Sequence, residues 1–308
     1  MNIPSDAMTA SQADARAAAP AALPETRPFY WSVRRELWES RSVYLAPLGV
    51  AAVFMFGFLI SLITLPGRMR AALALDPVQQ HRALAQPYSF VAALIMGTAF
   101  VVGVFYCLDA LLGERRDRSI LFWKSLPVSD LTTVLAKASI PIVILPLLSF
   151  ALTAAAQLVM LLLSSAVLLA SGLGVATLWR QVPWFQMSLL LLYHLVTVHA
   201  FWYAPIYGWL LLASAWARRA AFLWAALPPL AIGVVEKLAF NTSHYATLLK
   251  HRMAGPEAFP AMGGAPMGPL AHVDPGKFLS APGLWLGLVV AAIFLAAAVR
   301  LRRYQDPM

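Results

Sequence analysis

Between Ser139 and Ala170 the chain runs without a single charged residue. A helix rises about 1.5 Å per residue, so about 20 apolar residues cross the hydrocarbon core of a bilayer. This run exceeds that length and predicts a helix that tilts or projects beyond the membrane. Five more runs approach or pass the same length: Tyr44–Leu65, Tyr88–Leu112, Phe185–Trp216, Ala220–Phe240 and Gly283–Val299. A soluble core built from 308 residues could not hide them all. The chain is 60% hydrophobic and only 12% charged, with a mean hydropathy of +0.71, whereas soluble domains carry about 25% charged residues. The expectation is an all-α membrane protein with six transmembrane helices.

The net charge of +9 does not point to nucleic acid. The basic residues stand at the ends of the apolar runs instead of clustering on a polar domain, as the positive-inside rule expects. Most of them fall on one side if both termini are cytosolic, with Arg68 and Arg70 dissenting. The single cysteine, Cys107, lies within an apolar run, so neither a disulfide framework nor a thiolate metal cluster is expected. Asp6 and Asp14 precede the first apolar run, which is wrong for a cleavable signal.

Three divisions follow. Residues 1–26, rich in Ala, Ser, Pro and Asp, read as a disordered cytosolic tail. Residues 27–43 place Phe29, Tyr30, Val33 and Leu37 near one helical face, with Arg34, Arg35, Glu36 and Glu39 around the other. That pattern predicts an interfacial amphipathic helix on the inner headgroups. Residues 44–308 form the six-span domain. Pro66-Gly67 is expected to close the first span and open a loop reaching to Tyr88, and Ser171-Gly172-Leu173-Gly174 to end the third. An outer segment, 241–282, separates spans five and six. Its stretch Tyr245–Met253 is helix-compatible, and so long a loop without structure would be unusual, so the segment is expected to be compact.

The most charged stretch of the chain, 113–137 (GERRDRSILFWKSLPVSDLTTVLAK), joins the second and third runs. Arg115–Lys124 sets Ile120, Leu121, Phe122 and Trp123 beside Arg116, Arg118 and Lys124. Aromatic side chains flanked by arginine make a good docking knob for a partner protein. Pro127 breaks the helix, and Ser125 or Ser129 can cap the next one. Glu114, where the second span leaves the membrane, is expected to pair with Arg34 or Arg35. A solvated connector without a partner would share the same composition.

The order Gly113-Glu114-Arg115, Ser119, Leu121, Ser125-Leu126-Pro127, Ser129 and Lys137 resembles the loop between spans two and three of ABC-2 type exporter permeases. The closing segment from Phe278 through Trp285 to Arg302-Arg303-Tyr304 is similar to bacterial permeases of the same class. The resemblance implies a coupling helix between spans two and three that docks on an ABC-type ATP-binding subunit, with Glu114, Arg115, Arg118, Leu121, Phe122, Trp123 and Lys124 at that contact. It also implies a second permease copy or paralogue and a multi-pass location in the bacterial inner membrane, with both termini cytosolic. ATP and Mg would belong to the partner subunit. This chain has no Walker A motif of its own: around Gly276-Lys277, Ala271 stands where the first glycine belongs and Phe278 where Ser or Thr belongs.

Other polar residues carry weaker signals. His194 and His199 lie within a span, where ionisable side chains are functional candidates by default. Five residues apart on an α-helix, they diverge by about 140°, which argues against a shared ligand. With Trp202 and Tyr203 they could line a translocation path. Glu236 and Lys237 read as a local ion pair at the outer rim, or as a gate contact. His244, His251 and His272 are too widely spaced for a zinc site. Two rival functions are an ion-coupled secondary transporter, which would show inverted repeats, and an intramembrane enzyme, which would show a paired nucleophile and base. Neither signature is visible.

Overall fold

The computed structural model describes residues 26–124, 128–255 and 275–304. The tail at 1–25, the break at 125–127 and the middle of the outer segment lie outside them. Among the described residues there is no strand, and six helical stretches are long and apolar enough to cross a membrane: Ser42–Leu73, Pro77–Arg116, Asp130–Ala170, Ala176–Trp202, Ala221–Phe240 and Pro282–Tyr304. The protein is a multi-pass, all-α membrane protein.

Helix α1 (Thr26–Glu39) is the amphipathic segment, and α2 (Ser42–Ser61) starts the first crossing. The loop expected after Pro66-Gly67 is a helix. A single 3-10 turn, Leu62–Thr64, leads straight into α3 (Leu65–Leu73), and α4 (Pro77–Ala110) follows after a short connection. The reason is positional. Pro66 falls in the first turn of α3, where its missing N–H would have had no intrahelical partner anyway. Asp76 then caps α4, accepting from the Val78 and Gln79 amides at 3.0 Å each. The second span therefore begins well before Tyr88.

After α4 come two short helices, α5 (Leu112–Arg116) and α6 (Ser119–Lys124), and then α7 (Asp130–Ser139). Ser129 caps α7, its Oγ accepting from the Thr132 amide at 3.0 Å. A π-helical turn at Ile140–Ile144 joins α7 to α8 (Leu145–Ala170), so one rod runs from Asp130 to Ala170. Gly172, at φ +71, helps end it, as the sequence suggests. After α9 (Ala176–Gln181), the fourth crossing consists of α10 (Trp184–His194), a second π-helical stretch at Leu195–Trp202, and α11 (Ala204–Trp216). Both π segments precede a proline, Pro146 and Pro205. Proline lacks an N–H and its ring crowds the carbonyl four residues back. Widening the turn to i→i+5 bonds, as in Tyr203 N–H to Val198 O at 2.9 Å, accommodates both defects.

A tight turn with Ala220 in the left-handed region leads to α12 (Ala221–Phe240), then α13 (His244–Ala254), α14 (Pro275–Ser280) and α15 (Pro282–Tyr304). Helices α11 and α15 lie parallel, with Trp209 and Phe294 rings 5.4 Å apart at mid-length. Gly208 makes that approach possible, because a Cβ there would stand 3.3 Å from the Ala291 carbonyl oxygen. Lipid gives helices little hydrophobic reason to associate, so small residues and close backbone contact carry the packing. Buried apolar side chains form one main cluster around Cys107, Ile140, Tyr207 and Leu211. Another lies towards the far ends of α2, α4 and α8, around Tyr88, Ile95, Met160 and Leu168.

Candidate functional site

The chain places its least expected chemistry where α1, α4–α5, α7 and α15 converge. Four charged side chains are buried there: Glu36 is 2% exposed, Lys137 2%, Arg302 5% and Glu114 6%. Lys137 Nζ donates to both oxygens of Glu36 at 2.9 Å and stands 3.1 Å from Glu114 Oε1. Arg35 bridges the same two carboxylates, donating to Glu36 at 2.7 Å and to Glu114 at 2.9 Å. Arg302 donates to Glu114 Oε2 and, through Nε, to Asp130 at 3.0 Å. The Tyr106 hydroxyl donates to Glu36 at 2.8 Å. Three acids thus face three bases. Burying ions costs several kcal/mol each unless they are paired and hydrogen-bonded, and here every charge has at least one partner.

The periodicity of each element explains how the cage assembles. In α1, Glu36 lies on the face that packs against α7, while Arg34 turns away and sits over the Trp31 and Trp38 rings, at 5.1 and 4.8 Å. Of the two arginines weighed for Glu114, Arg35 is therefore the partner. Burial alone would lower the Arg35 guanidinium, but the carboxylates of Glu36, Glu39 and Glu114 outweigh it and hold it above its ordinary value. Burial lifts the Glu39 carboxyl, with Arg35 pulling the other way.

The neighbouring Arg115, 4% exposed, has a different task. Its guanidinium donates to the Ser214 and Ala217 carbonyls, at 2.8 and 2.5 Å, which end α11 and have lost their intrahelical donors. Ser214 returns the favour: its Oγ accepts from the Leu111 and Leu112 amides at the joint between α4 and α5. Glu114 and Arg115 therefore face inward, bracing the root of the 113–137 segment. Arg118, with φ +55, and Leu121 are exposed, while Ile120 is buried. The side chains of Phe122, Trp123 and Lys124 lie outside what is described, although α6 runs through them.

A second polar group lies in the fourth crossing. The π-helical stretch brings residues five apart towards one face, so His194 and His199 do meet, with ring centroids 6.2 Å apart. The divergence expected from α-helical geometry does not apply there. His199 also packs edge-on against Tyr203 at 5.3 Å and Phe100 at 6.3 Å. Trp202 is buried.

At the opposite end from the ion cage, α13 closes over the bundle. Trp202 Nε1 donates to the Arg252 carbonyl and the Tyr203 hydroxyl to that of Met253, both at 3.0 Å. The Arg252 guanidinium sits 4.4 Å from the Trp202 ring centre and donates to the Gly283 carbonyl at 2.9 Å. Burial lowers it from its ordinary value. Glu236 is not paired with Lys237. Its carboxylate accepts from the Thr242 hydroxyl at 2.7 Å and from the His244 and Tyr245 amides at 2.7 and 2.8 Å, capping α13. Free amides at a helix start attract a carboxylate more specifically than an adjacent lysine does. The helices α13 and α14 show the described part of 241–282 to be structured.

Sequence reasoning found Glu114 and one of its partners but did not single out Glu36, Tyr106, Asp130 or Arg302 as a group. Their only signal was position, since each is polar and near the end of an apolar run. Among the described residues, no cluster of three or more His, Cys, Asp or Glu could hold a metal ion. Set beside models of known protein families, curated proteins and solved structures, the chain matches none.

Proposed function

We propose that this chain is the transmembrane permease subunit of an ATP-driven exporter. It would move a hydrophobic or amphipathic substrate, and a separate ATP-binding subunit docked on 113–137 would hydrolyse the nucleotide. A second permease copy or paralogue completes the path, and the charged end of the bundle faces the cytosol of a bacterial inner membrane. One observation supports this reading above the rest. The segment that resembles a coupling element is clamped at both roots, through Glu114 on one side and Lys137 and Asp130 on the other, to the amphipathic helix α1 and the last helix α15. A connector that merely bridges two spans has no need of a buried, charge-neutral brace. A segment that passes a partner's motion into the bundle does, because a soft root would absorb the movement.

The division of labour follows from burial. Docking falls to the exposed Arg118 and Leu121, and the resemblance adds Phe122, Trp123 and Lys124 to that contact; transmission falls to Glu114. A buried aromatic hot spot is worth ~2–4 kcal/mol and a rim charge under ~1 kcal/mol. Phe122→Ala or Trp123→Ala should therefore weaken association about 30-fold or more, and Arg118→Ala much less. Glu114→Gln should leave the complex assembled while uncoupling transport from hydrolysis. The test is affinity purification of the native complex, with ATPase and transport assays on the four variants. No stoichiometric ATPase, or binding and transport untouched by both aromatic changes, would defeat the proposal.

A further inference from the structure

On α8, Ser149, Thr153 and Gln157 recur every fourth residue, all on the helix's buried side, at 1%, 0% and 3% exposure. Ser188 of α10 is 7% exposed. The two helices run antiparallel, and the Trp184 indole donates to the Ala154 carbonyl at 3.0 Å. Ser188, one turn further along α10, thus comes to the depth of Ser149 and Thr153. Gln157 Nε2 donates to the Tyr88 carbonyl of α4 at 3.0 Å, and the Tyr88 hydroxyl lies 3.3 Å from Ser164 Oγ. Polar groups therefore line one seam between α4, α8 and α10.

Several hydroxyls in this protein donate to the carbonyl four residues back, which also accepts from the same residue's amide. Ser165, Ser171, Thr98 and Thr197 all do so, at 2.7 to 2.8 Å. The seam differs. Ser149 Oγ, Thr153 Oγ1, Ser188 Oγ and Gln157 Oε1 are buried with no hydrogen-bond partner among the described residues. At membrane depth, an unsatisfied polar atom is more costly than anywhere else in a protein. Four in one seam call for a ligand.

The chemistry of that ligand is constrained. The seam's side chains are uncharged, so they match a neutral hydrogen-bonding species. Ser149 and Gln157 stand eight residues apart, about 12 Å along the axis, which is too far to share one metal ion. At its other end the seam reaches the depth of the histidine pair. Gly103 lies against Leu145, and one turn further out on each helix come Phe100, which touches His199, and Ser149. We infer that this seam is a water-binding row: several bound waters satisfy the hydroxyls and the Gln157 oxygen and lead towards the His194–His199 pair. A buried water needs two to four polar partners, which the orphaned seam atoms would supply. The row lies inside a single chain, so it stands whether or not the exporter reading does.

The test uses the purified full-length protein in nanodiscs, with Cys107, which is buried among apolar side chains, changed to Ala. Ser149→Cys, Thr153→Cys and Ser188→Cys are each treated with methyl methanethiosulfonate, and modification is followed by intact mass. Thiols react as thiolates, which form in water and not in an apolar interior. Met160→Cys, buried on the same helix, and Leu162→Cys, facing lipid, set the dry rates. The expected result is modification about ten-fold faster or more at two or three of the seam positions. Rates matching Met160→Cys at two or more of them overturn the inference. Thr153→Val, nearly isosteric, is the independent check. In a hydrated seam it leaves the melting temperature unchanged or lowers it, while in a dry seam it removes a stranded hydroxyl, and a rise above about 2 °C would reject the water row.

Discussion

Lys137→Met is the perturbation that most directly probes the ion cage. Lys137 sits between Glu36 and Glu114, within 3.1 Å of both, and is 2% exposed. Removing it leaves three buried or half-buried carboxylates facing two cations, a net negative charge in a poorly solvated place. Breaking a buried pair by deleting one partner costs about 3–5 kcal/mol. The lower end applies, because Arg35 still reaches both Glu36 and Glu114, and Arg302 still reaches Glu114 and Asp130. About 3 kcal/mol corresponds to a fall of roughly 5 °C in melting temperature for a chain of 308 residues. Restoring neutrality should return part of the loss, so Lys137→Met combined with Glu114→Gln should melt well above the sum of the single effects. As a comparison, Arg116 lies 3.7 Å from Asp109 with both side chains more than 60% exposed, at 62% and 65%. Arg116→Gln should cost under ~1 kcal/mol. Tryptophan fluorescence during thermal unfolding in detergent reads the parent, both single changes, the double change and Arg116→Gln. If Lys137→Met melts with the parent, or if the double change costs the full sum, charge balance is not what holds the four elements together.

Gly287→Ala should unseat α13 without unfolding the bundle. The new Cβ would collide with the Arg252 guanidinium, and that side chain is flexible enough to swing away; hydrogen exchange in 244–254 should quicken, and unchanged exchange would contradict the fit. Ser214→Ala strands the Leu111 and Leu112 amides at the α4–α5 joint and should destabilise by about 1–3 kcal/mol in chemical or thermal unfolding. For sidedness, a cysteine at Gly264 should react with an impermeant reagent from outside, and one at Tyr304, which is 76% exposed, should be spared. The reverse pattern would invert the proposed orientation. Arg302 is the wrong reporter for this purpose, because burial alone would silence it.

The apolar runs by themselves determined the fold class, since any chain with so many membrane-length segments must satisfy its backbone hydrogen bonds within helices. The same local logic located the amphipathic helix, narrowed the cap of α7 to Ser125 or Ser129, and placed the end of the third span at Gly172. It failed where a local signal has two meanings. Pro66 was a stop by composition, but its place in a first turn made it a start, and only the path of the chain distinguishes the two. The angle between His194 and His199 followed from assuming 3.6 residues per turn. Pro205, a few residues on, widened that turn, and whether a proline kinks, breaks or widens a helix depends on what is packed around it. The ion cage was the least legible part. Glu114 and Arg35 are 79 residues apart and Glu114 and Arg302 are 188 apart. Their pairing is decided by which helices become neighbours, and α11 beside α15 is a consequence of close approach at Gly208 and Ala291, not of any charge. Sequence assigned each charge to a membrane-facing end; tertiary packing chose its partner, because Coulomb attraction selects only among groups that the helices have already brought within reach.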